Sequence, residues 1–147
     1  MSNYLEAFNQ VGAEKFAALI CKTAPYFSTI DPVFTEFSLD RVALSLKNQE
    51  KVHNHLGTVH AIAICNAAEL AAGLFTDISI PEGARWIPVG MTVKYLAKAK
   101  TDLAVVTQAD NIDFAAGGNQ VIKVIATDDE NTAVAEFDIT MNIKLAS

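Results

Sequence analysis

The chain of 147 residues has little cysteine, little proline and few basic residues. Its two cysteines, Cys21 and Cys65, are too few for a disulfide framework and lack metal-ligand spacing, so we interpret them as core thiols in a reducing compartment. Proline and glycine form no low-complexity tract, which argues against extended disorder. A net charge of −6 argues against nucleic acid as the main partner, because phosphate binding needs a broad basic surface.

Long hydrophobic runs are also missing. The first residues, MSNYLEAFNQVGAEKFAALICK, are amphipathic without a basic start, so no signal peptide is expected. The most apolar segment, residues 59–75, is interrupted by His60, Asn66 and Glu69 and is shorter than the roughly 20 residues that cross a bilayer. We therefore expect a cytoplasmic protein with no membrane span. The length and the 51% hydrophobic content predict a single domain over residues 1–147.

The spacing of apolar residues predicts two helices. The first covers residues 3–22 and has Gly12 as a weak point. The second runs from about Val59 to Phe75, with Thr58 as its N-cap. Because this second helix is apolar on every side of the helical wheel, other elements should enclose it.

Six strand-like runs surround the apolar helix, two before it and four after it. The last is the clearest: odd positions from Ala133 to Leu145 are apolar, and even positions from Glu136 to Lys144 are polar. The order of elements predicts an α+β fold in which a curved antiparallel sheet wraps one long central helix, with a helix at the N-terminus. The predicted strands are residues 33–37, 41–48, 88–97, 102–109, 119–127 and 132–145.

The stretch NHLGTVHAIAICNAAELAAG, residues 54–73, resembles the start of the central helix in hotdog-fold acyl-CoA thioesterases of the phenylacetyl-CoA and 4-hydroxybenzoyl-CoA type. In that family the order of strands and helix is also similar, from about residue 25 to 145. The resemblance implies hydrolysis of an acyl-CoA by a homo-oligomer, a dimer or a tetramer, with coenzyme A present only as part of the substrate and no other cofactor. The matching residues are Asn54, Gly57, Thr58, His60 and Glu69.

The chain departs from the family pattern at two places. The family often has His-Gly-Gly where this chain has His60-Ala61-Ile62, and some members have a hydroxyl residue at the position of Gly73. The backbone N–H of Ala61 is still available, so the first departure concerns the width of the substrate slot more than the chemistry. The second removes any hydroxyl helper at that position.

Hydrolysis of a thioester needs a carboxylate that attacks or activates water and a donor that stabilises the oxyanion. Glu69 can supply the carboxylate, and the N–H of Ala61 at the positive end of the helix can supply the donor. Nine residues at 100° each place His60 and Glu69 on opposite sides of the helix, roughly 13.5 Å apart along its axis. The acid and the helix start of one site must then come from different protomers, which gives two composite sites on a two-fold axis.

The other assignments have structural alternatives. Asn54 binds the attacking water or the thioester oxygen, or it only caps a loop. Gly57 belongs to the same loop and is assigned to substrate binding. Asn66 orients the carboxylate or faces the partner subunit. His60 shapes the helix start without needing to touch substrate, and Glu69 itself has the alternative of an ion pair with a lysine or a hydrogen bond with its own loop.

The sequence indicates less clearly which residues would bind the substrate. Lys94, Lys98 and Lys100 meet the phosphates of coenzyme A or the surface of an acyl carrier protein, or form only a solvated strand end. No metal site is expected, because no acid or thiol completes a ligand set with the loop histidines His53 and His55. The large side chains that would line an acyl tunnel, with core packing as the default, are Phe75, Trp86 and Met91.

Two other functions stay open from the sequence alone. One is an enoyl-CoA hydratase or dehydratase on the same fold, which needs a histidine and an acid acting together. The other is a non-catalytic acyl-CoA-binding module, and the missing glycines of His-Gly-Gly are the best argument for it.

Overall fold

The computed structural model describes residues 3–147 and places three α-helices against one six-stranded sheet. Helices α1 (Tyr4–Val11) and α2 (Ala13–Thr23) precede the sheet, and α3 (Ala61–Ser79) lies between the second and third strands. The strands are β1 (Val33–Phe37), β2 (Val42–Leu46), β3 (Arg85–Tyr95), β4 (Leu103–Gln108), β5 (Gly118–Thr127) and β6 (Ala133–Lys144). Short 3₁₀ helices cover Pro25–Ile30, Glu50–Val52 and Phe114–Ala116.

The sheet is antiparallel throughout, in the order β1-β2-β4-β5-β6-β3, so β1 and β3 are its edges. Helix α3 contacts every strand from β2 to β6, because the sheet curves around it. The predicted fold, a curved antiparallel sheet around one long helix, is confirmed, and the predicted strands are confirmed with small shifts at their ends.

Helix α3 is covered on nearly all sides. Thirteen of its 19 residues are buried, and its two exposed residues, Ile62 and Glu69, lie about two turns apart and therefore on one side. By length and composition the helix could cross a membrane, but 72% of its apolar window is buried inside the fold, which is the arrangement of a core helix. The fold leaves one open face on α3.

The alternation of apolar and polar residues along β6 gives this strand one buried face and one half-buried face. Its even positions from Glu136 to Asn142 are half-buried on the opposite face. Leu145, the last apolar residue of the predicted alternation, lies beyond the end of the strand and is exposed. The buried odd positions are Ala135, Phe137, Ile139, Met141 and Ile143.

The N-terminal segment forms two helices where the sequence predicted one. Gly12 separates them with φ of 83°, a left-handed value that residues with a Cβ rarely adopt. The break turns both helices onto β1: the ring of Phe16 lies 5.4 Å from that of Phe8 and 5.3 Å from that of Phe34, measured between centroids. Helices α1 and α2 are thus part of the core and cover one end of the sheet.

The start of α3 also differs from the prediction. The N-cap is His60 and not Thr58: its ring Nδ1 accepts a hydrogen bond from the N–H of Ile62 at 3.0 Å. Val59 remains extended because its N–H donates to the carbonyl of Ala99 at 2.8 Å, so the helix begins two residues later than predicted. It also ends later, at Ser79.

If the N-terminal helices belong to the core, Phe16→Ala should lower the free energy of unfolding by about 3–5 kcal/mol, because Phe16 is fully buried among aromatic rings. Leu19→Ala, at a residue of the same helix that is 42% exposed, is the matched control and should change it by less than about 1 kcal/mol. Urea unfolding measures both. Equal, small effects would show that α1 and α2 are only loosely attached.

The cap at His60 predicts a second stability effect. His60→Ala removes the acceptor of the Ile62 N–H and should lower the free energy of unfolding by about 0.5–2 kcal/mol, whereas His60→Asn keeps an acceptor at a favoured cap residue. Thermal unfolding of the three proteins at one pH tests this order. Indistinguishable melting temperatures would mean that the ring does not stabilise the helix start.

Candidate active site

Glu69 lies in the middle of α3, on its open face. Its carboxylate makes no hydrogen bond and no ion pair with any residue from 3 to 147, so the alternative of a lysine or loop partner is not observed within the protomer. An unpaired carboxylate in a helix enclosed on every side, as the sequence predicts for α3, would be costly. Within one protomer this cost does not arise, because Glu69 is exposed.

Two cavities meet at Glu69. The first, which we call the α2 cavity, has a volume of about 260 Å³ and lies between α3, β3 and the end of α2. The second, which we call the edge cavity, has about 400 Å³ and lies along β3. Both are bordered by Glu69 and Pro88. The edge cavity is also lined by Tyr26, Ile62, Cys65, Asn66, Val89 and Met91.

Ala61, at the start of α3, borders a different cavity from the two that Glu69 borders. The N–H of Ala61 has no acceptor among residues 3–147, as expected for the first residue of a helix. Ala61 borders a third cavity of about 340 Å³, here the helix-start cavity, together with Asn54 and Lys98. Glu69 does not line this cavity. Within one protomer the carboxylate and the free N–H therefore face different spaces, in agreement with the helical projection.

Asn54 fixes the loop before the helix. Its Nδ2 donates to Oγ1 of Thr58 at 2.8 Å, and its Oδ1 accepts from the N–H groups of Leu56 and Thr58 at 2.9 and 3.1 Å. These are the bonds of the loop-capping alternative, although one hydrogen of the amide nitrogen remains available. Gly57 turns the loop with φ of 74°, is exposed and lines none of the cavities described here.

His60 faces away from the carboxylate. Because Nδ1 accepts from the backbone of Ile62, the neutral ring carries its proton on Nε2. The residue is exposed and borders a fourth cavity of about 400 Å³, together with Lys51, His53 and Asn66. Its place supports the role of shaping the helix start.

Asn66 is buried beside Glu69 but makes no hydrogen bond with it. The hydroxyl of Thr29 donates to the carbonyl of Tyr26 at 2.8 Å and therefore accepts from Nδ2 of Asn66, at 3.1 Å. Oδ1 of Asn66 is then left without a donor among residues 3–147. The structure thus holds a buried, unused acceptor one turn before Glu69, on a residue that borders the edge cavity.

The three lysines are exposed and unpaired within residues 3–147. Lys98 borders the helix-start cavity, and Lys94 lies on β3 opposite Glu136 in the register without an ion pair. Lys100 lies just after β3, and its carbonyl accepts from the side chain of Asn48 at 3.0 Å. Of the three, Lys98 is the one that the fold places at a described cavity.

Of the three large side chains that the sequence offers for an acyl tunnel, two border cavities and one is packed in the core. Trp86 borders the α2 cavity and Met91 the edge cavity. Phe75 is packed in the core against Phe114 and lines none of the four described cavities. Sequence reasoning missed Asp77, whose Oδ1 accepts from Nε1 of Trp86 at 2.8 Å.

The cysteines differ from each other. Cys65 is buried, and its Sγ lies 3.7 Å from the hydroxyl of Tyr95, a hydrogen bond that raises the pKa of Tyr95. Cys21 is only half-buried, so its interpretation as a core thiol was wrong; partial burial and the nearby Asp31 raise the pKa of its thiol. No group of three or more His, Cys, Asp or Glu residues that could hold a metal ion is found within the described part of the chain.

Comparison with known proteins places this chain in a family. The family described as a domain of unknown function (DUF4442) matches residues 12–143. A crystal structure of the structural-genomics protein APC5556 is 47% identical, with a TM-score of 0.90 over 98% of this chain and 97% of that chain. No protein of curated function matches.

Other solved structures share the fold at lower identity. Thioesterase HI1161 from Haemophilus influenzae is 14% identical, with a TM-score of 0.77 over 89% of this chain and 90% of that chain. PA5026 from Pseudomonas aeruginosa, named a probable thioesterase, is 21% identical, with a TM-score of 0.77 over 88% and 94%. The chain therefore belongs to the DUF4442 family and has the hotdog fold of these thioesterase neighbours.

Proposed function

We propose that this protein is a thioesterase that hydrolyses an acyl-CoA to a carboxylic acid and free coenzyme A. The observation that carries the proposal is the carboxylate of Glu69, which has no partner among residues 3–147 and borders two cavities. The names of the structural neighbours HI1161 and PA5026 support the reaction class. The likeness to the central-helix pattern of acyl-CoA thioesterases supports coenzyme A as the carrier of the acyl group.

In the proposed reaction Glu69 removes a proton from water, and the water oxygen attacks the carbonyl carbon of the thioester. The carbonyl oxygen becomes an oxyanion that accepts a hydrogen bond from the N–H of Ala61. The carbon–sulfur bond then breaks, and the proton from Glu69 passes to the thiolate. If Glu69 is instead the nucleophile, a mixed anhydride forms with release of the thiol, and water hydrolyses it. Neither route requires a metal or a redox cofactor.

The site is completed by a second copy of the chain. Strand β3 is an edge of the sheet with unpaired backbone groups, and a dimer across this edge would cover it. A two-fold axis perpendicular to α3 makes the two α3 helices antiparallel, which brings the start of one helix towards the middle of the other. The large apolar side chains exposed on the α3 side of this edge include Ile62, Val89, Met91 and Tyr95.

The loop and lysines at the helix start then serve the same composite site. The remaining amide hydrogen of Asn54 binds the thioester oxygen or the attacking water, and the turn at Gly57 shapes the loop that holds it. Lys98, which borders the helix-start cavity, meets the phosphates of coenzyme A. Asn66 borders the edge cavity and faces the partner subunit across it.

Glu69→Gln tests the carboxylate. The amide keeps the shape but cannot take a proton, so release of free thiol from a panel of acyl-CoAs should fall by about 10²-fold or more. The matched control is Glu82→Gln, at an exposed acid in the loop after α3, which should leave the rate unchanged. Oligomeric state and melting temperature should stay constant in both variants.

Two outcomes of that assay would contradict the proposal. Slow hydrolysis that is the same in Glu69→Gln and in the unmodified protein would exclude the carboxylate and favour the acyl-CoA-binding module. Addition of water to an enoyl-CoA, without thiol release from the saturated ester, would favour the hydratase.

Complementation tests whether two protomers share one site. Ala61→Pro removes the N–H at the first helical position, where proline is well tolerated, and should inactivate the protein, whereas Ala61→Gly keeps the N–H. Mixing the Glu69→Gln and Ala61→Pro proteins under conditions of subunit exchange should restore about one quarter of the unmodified activity, because each heterodimer regains one of its two composite sites.

The same mixture distinguishes the alternative arrangement. If the acid and the N–H act within one protomer, every protomer in the mixture carries a defect and no activity returns. The control is a mixture of the Glu69→Gln protein with the Ala61→Gly protein, which keeps the N–H. It shows how much activity survives the exchange procedure itself.

A further inference from the structure

The α2 cavity begins at Glu69 and follows α3 away from the helix start. Glu69, Gly73 and Asp77 are spaced four residues apart, so they lie one above another on the same side of the helix, and all three border this cavity. A substrate whose carbonyl lies at Glu69 would therefore have open space for its acyl group along the next two turns of α3.

Trp86 forms the wall over Gly73. A Cβ at Gly73 would lie 2.9 Å from Cη2 of the Trp86 ring, closer than carbon atoms of two side chains approach without a shift. The absence of a side chain at Gly73 is thus what lets the ring lie against the helix. Asp77 holds the ring from the other end, because its Oδ1 accepts from Nε1 of Trp86 at 2.8 Å.

The opposite wall comes from the N-terminal helices. Ile20 and Ala24 lie at the end of α2, and Phe27 follows in the adjoining 3₁₀ helix. The hydroxyl of Thr23, which also borders the cavity, donates to the carbonyl of Leu19 at 2.9 Å. The interior is therefore suited to an apolar group.

The cavity has one unused charged group, and it lies at the end next to the edge cavity. Of the two carboxylates on its border, Asp77 is bound to Trp86, whereas Glu69 has no partner among residues 3–147. Because Glu69 borders both cavities, a ligand in the α2 cavity can extend past it into the edge cavity.

We propose that the α2 cavity holds the acyl group of the substrate, and that Trp86, fixed over Gly73 by Asp77, limits the length of that group. This inference rests on the proposed function and specifies its substrate. A cavity of about 260 Å³ suits a medium-length aliphatic acyl group such as hexanoyl or octanoyl better than palmitoyl.

Trp86 gives a direct readout, because it is the only tryptophan of the chain. Alkyl-CoA thioethers from butyl-CoA to hexadecyl-CoA lack the carbonyl and cannot be hydrolysed, so they measure binding alone. Tryptophan emission should change on binding, and affinity should rise about fourfold per methylene up to octyl and then stop rising or fall.

This titration separates the inference from the proposed function. If no acyl-CoA is hydrolysed but the thioethers show the length optimum and the emission change, the acyl site stands and the thioesterase proposal fails. Affinity that is independent of chain length, without an emission change, would overturn the acyl site even in an active enzyme. Emission that depends on protein concentration and not on thioether would assign the cavity to a second copy of the chain.

Trp86→Leu should open the wall over Gly73 and so make room for a longer acyl group. The ratio of kcat/KM for palmitoyl-CoA to kcat/KM for octanoyl-CoA should rise by about tenfold or more. The matched control is Phe114→Leu, which removes an aromatic ring that packs on the other side of α3 and borders none of the four cavities. Its length profile should stay that of the unmodified protein. Equal shifts in both variants would mean that loss of packing, and not the wall, changes the preference.

Gly73→Ala tests the wall from the helix side. The added methyl group must displace Trp86, so the preference should change, and the double variant Gly73→Ala with Trp86→Phe should reverse part of that change because the smaller ring makes room. Simple additivity of the two changes would contradict the contact. Because Gly73→Ala favours the helix, a profile change with an unreduced melting temperature also excludes simple unfolding.

Discussion

The structure depends on the burial of one helix that has almost no polar side. A surface helix can leave a polar stripe in water, but α3 has thirteen buried residues out of 19, so it must be covered by apolar surface on several sides. One flat sheet covers only one side, and the sheet therefore curves until β2 to β6 all contact the helix. The exception is the face that carries Glu69, which the protomer leaves open. The curved sheet thus does two things: it buries most of α3, and it leaves the one face uncovered on which the Glu69 carboxylate is accessible.

The helix start is held by the loop that precedes it. Asp102, before β4, accepts from the N–H of Asn48 at 2.8 Å, and this bond together with Lys47 lowers the pKa of the Asp102 carboxyl. The N–H of His60 donates to the carbonyl of Val52 at 2.7 Å. The loop is therefore tied at both ends, and the free N–H of Ala61 has a fixed direction. Such preorganisation is what an oxyanion donor needs.

The sequence predicts what is periodic and misses what depends on packing partners. The alternation in β6 and the apolar helix are repeated signals, so the order of the strands around the central helix and the curved sheet were predicted correctly. Thr58 is a good N-cap by residue type, but its hydroxyl is already bonded to Asn54, and His60 takes that place. The hydrogen bond between Asp77 and Trp86 crosses a turn and has no pattern along the chain. The cavity wall that α2 contributes is likewise a long-range contact.

The two edge strands of the sheet differ in length, and this difference affects how another copy of the chain could add a strand to the sheet. Edge β1 has only five residues, with a bulge after Phe34, and the rings of α1 and α2 pack beside it. Edge β3 has eleven residues, with a bulge after Pro88, and extends to Tyr95. The longer edge therefore offers more unpaired backbone groups for strand addition than β1 does. If two copies join at β3, each leaves only the short β1 edge on its outer side, and that edge offers few backbone groups to a further copy.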